Sequence, residues 1–232
     1  MIRFNVKRFL VLLGILIVIG ITLDLILSRD LVRNPIFDYG NFRYRVIADG
    51  SAVELTRYTR QVGGALRIPS HIDGLPVTRI TSDAFAYRSG MNRQGLGIVA
   101  VSIPDTVTYI GRNAFAQNLL NTVNIPASVT TISRYAFGSN QIGFIDIPDT
   151  IVHLSGFNNN NLTSVYIPYG VRYIGGYAFR MNQITSVSIP DSVVDIGLQA
   201  FRHNRLAEVS VPAHARIVGN AFDSDVTIIR RD

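Results

Sequence analysis

The sequence predicts a mainly β chain: a curved parallel-β solenoid of about seven coils, an N-terminal capping hairpin, and one transmembrane or signal helix before that. The deciding observation is a phrase that recurs seven times. An Ile-Pro or Val-Pro pair ends at Pro69, Pro104, Pro126, Pro148, Pro168, Pro190 and Pro212, and each is followed by a phenylalanine at Phe85, Phe115, Phe137, Phe157, Phe179, Phe201 and Phe222. From Pro104 on, the prolines fall 22, 22, 20, 22 and 22 residues apart. Such a period marks coils that bury their apolar faces only by stacking on one another. The second observation is that the apolar positions keep a fixed place in every coil. The third is a charged, then strongly apolar, amino end unlike the rest.

That amino end comes first in the chain. Arg3, Lys7 and Arg8 within residues 1–8 precede an apolar run from Phe9 to Leu23, which resumes after Asp24 with Leu25, Ile26 and Leu27. Counted over 9–27 it is 19 residues, enough to span about 30 Å of hydrocarbon. Counted to Leu23 it is 15, the length of a signal-peptide core. No Ala-x-Ala-like cleavage site follows, so an uncleaved signal-anchor is expected, with cleavage and secretion as the alternative. The basic flank favours a cytoplasmic amino terminus and a repeat domain outside the cytoplasm.

Residues 28–41 read as a linker. Residues 42–65 read as a capping hairpin: Phe42–Ile47 and Val53–Tyr58 are strand-like runs joined through Asp49-Gly50, a strong turn signal. A first coil needs such a cover, because its apolar face otherwise meets water. The solenoid then runs over 66–226. His71 to Pro76 is an insertion in its first coil, and Ser89 to Leu96 is a second, Gly-rich one expected to loop out. Residues 227–232 are expected to close the chain with a strand end and a polar tail.

Within a regular coil, Ile98, Leu120, Ile142, Leu162, Ile184 and Leu206 stand six residues before the proline. Val101, Val123, Ile145, Val165, Val187 and Val209 stand three before it, and Ile103, Ile125, Ile147, Ile167, Ile189 and Val211 one before it. The spacing of the last two columns is that of a strand with one buried face, and the proline ends it. Asn118, Asn140, Asn160, Asn182 and Asn204 form a regular polar column. A side-chain amide both donates and accepts, so these five are expected to be a structural ladder that satisfies turn backbone.

The pattern N-x-L-T-S-V-x-I-P-x-x-V-x-x-I-G-x-x-A-F resembles the BspA-like leucine-rich repeats of bacterial surface proteins, over roughly residues 43–226. The resemblance implies a parallel-β solenoid exported from a bacterium, a role in adhesion or protein binding, and no catalytic residues. This chain departs from the pattern in having Asn at the ladder column, where family members often carry Cys. It departs again in the shortened coil at Ser155-Gly156.

Composition narrows the function classes. The formal charge of +6 becomes +4 once residues 1–27 (three cations and Asp24) are removed, and there is a single lysine. Arg112 and Arg134 occupy equivalent positions, as do Arg180 and Arg202, which is too few for a nucleic-acid track. No equivalent position in the regular coils carries acids in two successive coils. Asp146 and Glu208 share a face but lie about 14 Å apart, beyond the reach of a glycosidase pair. His71, His153, His203 and His214 stand at unrelated positions, so no zinc site is expected. No cofactor and no enzymatic activity are expected.

The expected partner surface lies on the outward positions two and four residues before each proline. Most of these are small and polar. Phe144 and Tyr166 stand out, beside Asn124 and Asp146, and together they are the candidate partner-binding residues. Mutual cover of the two rings across adjacent coils is the competing reading. The expected role is binding of a protein or glycan on a host or neighbouring cell, with the membrane contacted through 9–27 and no nucleic acid. The alternatives are an envelope-organising structural protein and a carbohydrate-active solenoid enzyme.

Overall fold

Each coil contributes two short strands, and a computed structural model shows how they stack; it describes residues 36–60, 62–86 and 96–232. The expected helix over 9–27 lies outside these residues, as does most of the insertion after Phe85. The described part is all strand and turn. In chain order the first strands are β1 (Phe37–Tyr39), β2 (Phe42–Val46), β3 (Val53–Tyr58), β4 (Ala65–Arg67), β5 (His71–Ile72), β6 (Leu75–Ile80) and β7 (Ala100–Ser102). Next come β8 (Tyr109–Ile110), β9 (Thr131–Ile132), β10 (His153–Leu154), β11 (Ser164–Tyr166) and β12 (Tyr173–Ile174). The last are β13 (Ser186–Ser188), β14 (Asp195–Ile196), β15 (Glu208–Pro212), β16 (Arg216–Ile217) and β17 (Thr227–Arg231). Among the described residues no helix is long and apolar enough to cross a membrane.

The fold is a parallel solenoid of about eight turns, one more than the proline count suggests. β2 and β3 form the antiparallel hairpin, with β1 against β2. β3 then pairs in parallel with β6, and the ladder continues through β8, β9, β10, β12, β14 and β16. The second hairpin strand is therefore the first rung of the main sheet. This ladder is built from the x-Ile pairs that precede the Phe turn, whereas sequence periodicity pointed to the Ile-Pro segments.

The Ile-Pro face also pairs in parallel, but in pieces. β4 pairs with β7 at one end, and β11, β13, β15 and β17 pair at the other. Between them only Asn124 and Asp146 form a bridge. The central segments are Asn121–Asn124 and Gly143–Asp146, and Asn, Asp and Gly are weak strand formers. The expected apolar columns face inward, and all but Val187 are buried.

Three inserted or terminal pieces differ from the sequence reading. His71–Pro76 is a tight hairpin: β5 pairs antiparallel with β6 around Asp73-Gly74, whose φ values of 51° and 82° suit a two-residue turn with both residues left-handed. Leu96, expected in the looped-out insertion, is buried. Its N–H donates to Asn118 Oδ1 at 3.2 Å, and its carbonyl accepts from Val62 N at 2.8 Å, so the coil resumes there. Arg230 and Arg231 are not a free tail. Both continue β17; Arg230 Nη1 donates to the carbonyl of Pro212 at 3.0 Å, and Arg231 Nη2 reaches Asp191 at 2.9 Å.

The seven phenylalanines form one stack through the molecule. Successive ring centroids from Phe85 to Phe222 lie 5.0, 5.2, 5.3, 6.0, 5.3 and 5.4 Å apart, nearly parallel. Phe42 and Tyr58 of the hairpin close its top, 6.3 and 5.9 Å from Phe85. Each ring buries a large apolar area, so this column is a main source of cohesion between coils.

Candidate binding surface

The asparagine column lies directly behind that stack. Asn140 Nδ2 donates to the carbonyls of Phe115 and Phe137, both at 3.0 Å, and its Oδ1 accepts from Leu120 N at 3.0 Å. Asn160 repeats this with Phe137 at 3.0 Å, Phe157 at 3.2 Å and Ile142 N at 3.0 Å. Asn182 repeats it with Phe157 and Phe179 at 2.9 Å and Leu162 N at 3.1 Å. Asn118 bonds Phe85 and Phe115, and Asn204 bonds Phe179 and Phe201. Each side chain thus joins its own coil to the previous one. Asn204 alone is only half-buried; it is the last asparagine of the column, and the following coil has Asp225 at that place. With every amide group engaged in backbone, these residues present little to a ligand.

The outward face of the Ile-Pro segments is different. Phe144 is 68% exposed and Tyr166 is 69% exposed. At that exposure neither ring can be covering much of the other. Asn124 and Asp146 are exposed and adjacent through their bridge, and Tyr166 pairs with Ser188 in the next coil. A third aromatic joins them: Tyr169, just past Pro168, is also 69% exposed. Sequence reasoning passed over it, though the signal was present. The first position after the proline is Asp105, Asp149 and Asp191 in other coils, and an aromatic in a turn slot has no local backbone task.

The main ladder carries pairs of its own. Glu54 lies between Arg45 at 2.5 Å and Arg79 at 3.7 Å, and the Arg79 guanidinium sits 4.1 Å above the Tyr109 ring. His153 stacks on Tyr173 at 4.5 Å, and Arg216 pairs with Asp195. Where the hairpin meets the first coils, an open groove is lined by Tyr39, Phe42, Arg67, His71 and Asp105. The described residues contain no group of three or more acids and histidines able to hold a metal ion.

The repeat itself identifies the family. A model of the BspA type leucine rich repeat region matches residues 78–207 and 150–229, with six copies. The chain belongs to this family. The leucine-rich repeat protein TpLRR of T. pallidum has a similar structure, with a TM-score of 0.59 and 25% identity over 82% of this chain and 85% of that one. A leucine-rich repeat protein from Bacteroides ovatus gives a TM-score of 0.60 at 24% identity, covering 78% of this chain and 49% of that one. The pneumococcal vaccine antigen PcpA gives 0.52 at 19% identity, covering 83% and 48%. The chain therefore spans about half the length of the last two, whose likeness concerns the fold. No curated protein matches it in sequence. It is a leucine-rich repeat protein of the bacterial surface-protein type.

Proposed function

We propose that this BspA-type repeat protein works by binding rather than by catalysis, and that its partner docks on the face carrying Phe144, Tyr166 and Tyr169. The carrying observation is the exposure of these three rings, each about two-thirds open to solvent, whereas most outward residues of the neighbouring Ile-Pro strands are small and polar. Aromatic side chains with a few polar neighbours supply most of the energy at protein interfaces. Asn124 and Asp146 are the polar neighbours here. The partner is a protein or glycan of a host or neighbouring cell, and the contact serves adhesion. In this proposal residues 9–27 hold the chain in the membrane with the repeats outside the cytoplasm.

The test compares the full chain with a Phe144→Ala, Tyr166→Ala double variant. Beads carrying each are offered host matrix proteins, host-cell glycans and envelope fractions of the producing bacterium. Capture of a host component by the unmodified chain alone supports adhesion. Equal capture by a folded double variant moves the site elsewhere, and capture confined to the bacterium's own envelope favours an organising role. For the anchor, the expected result is a full-length product in the membrane fraction and an active extracytoplasmic reporter fused after Asp232.

A further inference from the structure

The shortened coil leaves a mark on the turn that precedes the phenylalanine stack. Aligned on the ladder, Ile132-Ser133-Arg134-Tyr135-Ala136-Phe137 corresponds to Leu154-Ser155-Gly156-Phe157, so two outward residues of the turn are missing. The gap lets Tyr135 and Tyr177, two coils apart, bring their rings to 6.0 Å, although two sheet spacings amount to roughly 9.5 Å. Both tyrosines hold left-handed backbone, with φ of 64° and 63°. The guanidinium of Arg134 lies 6.0 Å from the Tyr135 ring and 5.6 Å from the Tyr177 ring; Arg112 lies 5.8 Å from Tyr135 and Arg180 5.9 Å from Tyr177.

Three cations are thereby gathered in one row, and among the described residues no carboxylate pairs with any of them. Arg202, at the position equivalent to Arg180, already has Asp223 at 4.0 Å. The shortened turn also carries unpaired groups of its own. Ser155, at the edge of the gap, is 8% exposed, and its Oγ has no hydrogen-bond partner; Arg180 Nε is likewise buried and unpaired. Guanidinium groups that no carboxylate neutralises are strong donors to an oxyanion.

We propose that the Arg112–Tyr135–Arg134–Tyr177–Arg180 row over the shortened coil is a second docking site, for an acidic peptide segment. Charge complementarity selects the acid. The neighbours select a peptide: Met181 and Leu198, 44% and 41% exposed beside the arginines, are covered by apolar side chains but not by a hydroxylated sugar chain. Three cations at about 1 kcal/mol each are too few for firm attachment to a lipid surface.

The experiment uses the full chain and a fluorescent peptide of alternating glutamate and leucine. The peptide binds, binding weakens steeply as salt rises, and Arg134→Gln with Arg180→Gln lowers affinity about tenfold, equal to 1.4 kcal/mol. The same peptide with glutamine in place of glutamate fails to bind, a result that needs no variant to fold. The Phe144→Ala, Tyr166→Ala variant binds it like the unmodified chain, which separates this site from the one proposed above. Three results overturn the proposal: equal binding of the glutamine peptide, equal binding by the arginine variant, or attachment only to a sulfated glycan or to phosphatidylglycerol vesicles.

Discussion

Asn182 Nδ2 donates to the carbonyl of Phe157 one coil back and to that of Phe179 in its own coil, each at 2.9 Å. One amide thus ties consecutive turns of the aromatic stack. Replacing Asn182 with Ala leaves two carbonyls and the Leu162 N–H without that partner in a buried place. The expected cost is about 1–3 kcal/mol, read as a lower urea midpoint. Asn204→Ala, at the half-buried end of the ladder, costs less. Equal midpoints for Asn182→Ala and the unmodified chain would show that the ladder contributes nothing.

Gly156 carries a different constraint. Its φ is 102°, and an added Cβ would lie 2.8 Å from the carbonyl oxygen of Ser133. The shortened turn brings its backbone down onto the coil before it, so no side chain fits. Gly156→Ala is therefore expected to destabilise by more than the roughly 1 kcal/mol of an ordinary left-handed alanine. Gly40→Ala, at φ of 61° with open space around it, serves as the control for backbone strain alone. Similar losses at both sites would remove the close-contact argument.

Much of this architecture can be read from the sequence, because stacking demands the same side chain at the same place in every coil. The phenylalanine column, the three apolar columns and the asparagines all repeat for that reason. What escaped were features too short or too singular to form a pattern. The ladder through Tyr109–Ile110 and its equivalents offers only two residues per coil, too short for an alternation to register. The Asp73-Gly74 hairpin is a single tight turn inside an insertion. The meeting of Tyr135 and Tyr177 depends on a deletion in the coil between them, and no local pattern around either tyrosine announces it. Exposure is likewise a property of the assembled face: the aromatic at Tyr169, in a slot that holds Asp in other coils, is legible in the sequence, but its openness to solvent is not.

Phe144 and Tyr166 offer a contrast with the stack. Both are about two-thirds exposed, so truncation to Ala removes little buried area and is expected to change stability by less than about 0.5 kcal/mol. Phe137→Ala, fully buried between two rings, is expected to cost about 3–5 kcal/mol. Urea unfolding of the three variants checks the difference. A large loss at Phe144 or Tyr166 would mean the rings serve the fold, and the docking proposal would lose its main support.

Tyr44 supplies a pH dependence. Its ring is fully buried in the hairpin, and its hydroxyl donates to Asp73 Oδ2 at 2.7 Å. Burial first, then the hydrogen bond to Asp73 and the charges of Asp73 and Asp38, push its pKa far above the ordinary 10.0. Below pH 10 the group is protonated both folded and unfolded, and its contribution is complete. Above it, the unfolded chain releases the proton while the folded chain keeps it. Stability then falls by about 1.4 kcal/mol per pH unit from this group alone. Tyr44→Phe costs about 1 kcal/mol at neutral pH for the lost hydrogen bond, since the exposed Asp73 regains water. It also removes one proton's worth of the alkaline slope. Urea midpoints from about pH 8 to about pH 11 test this: the two curves should converge as pH rises, and parallel curves would show that Tyr44 ionises as readily in the folded chain as in the unfolded one.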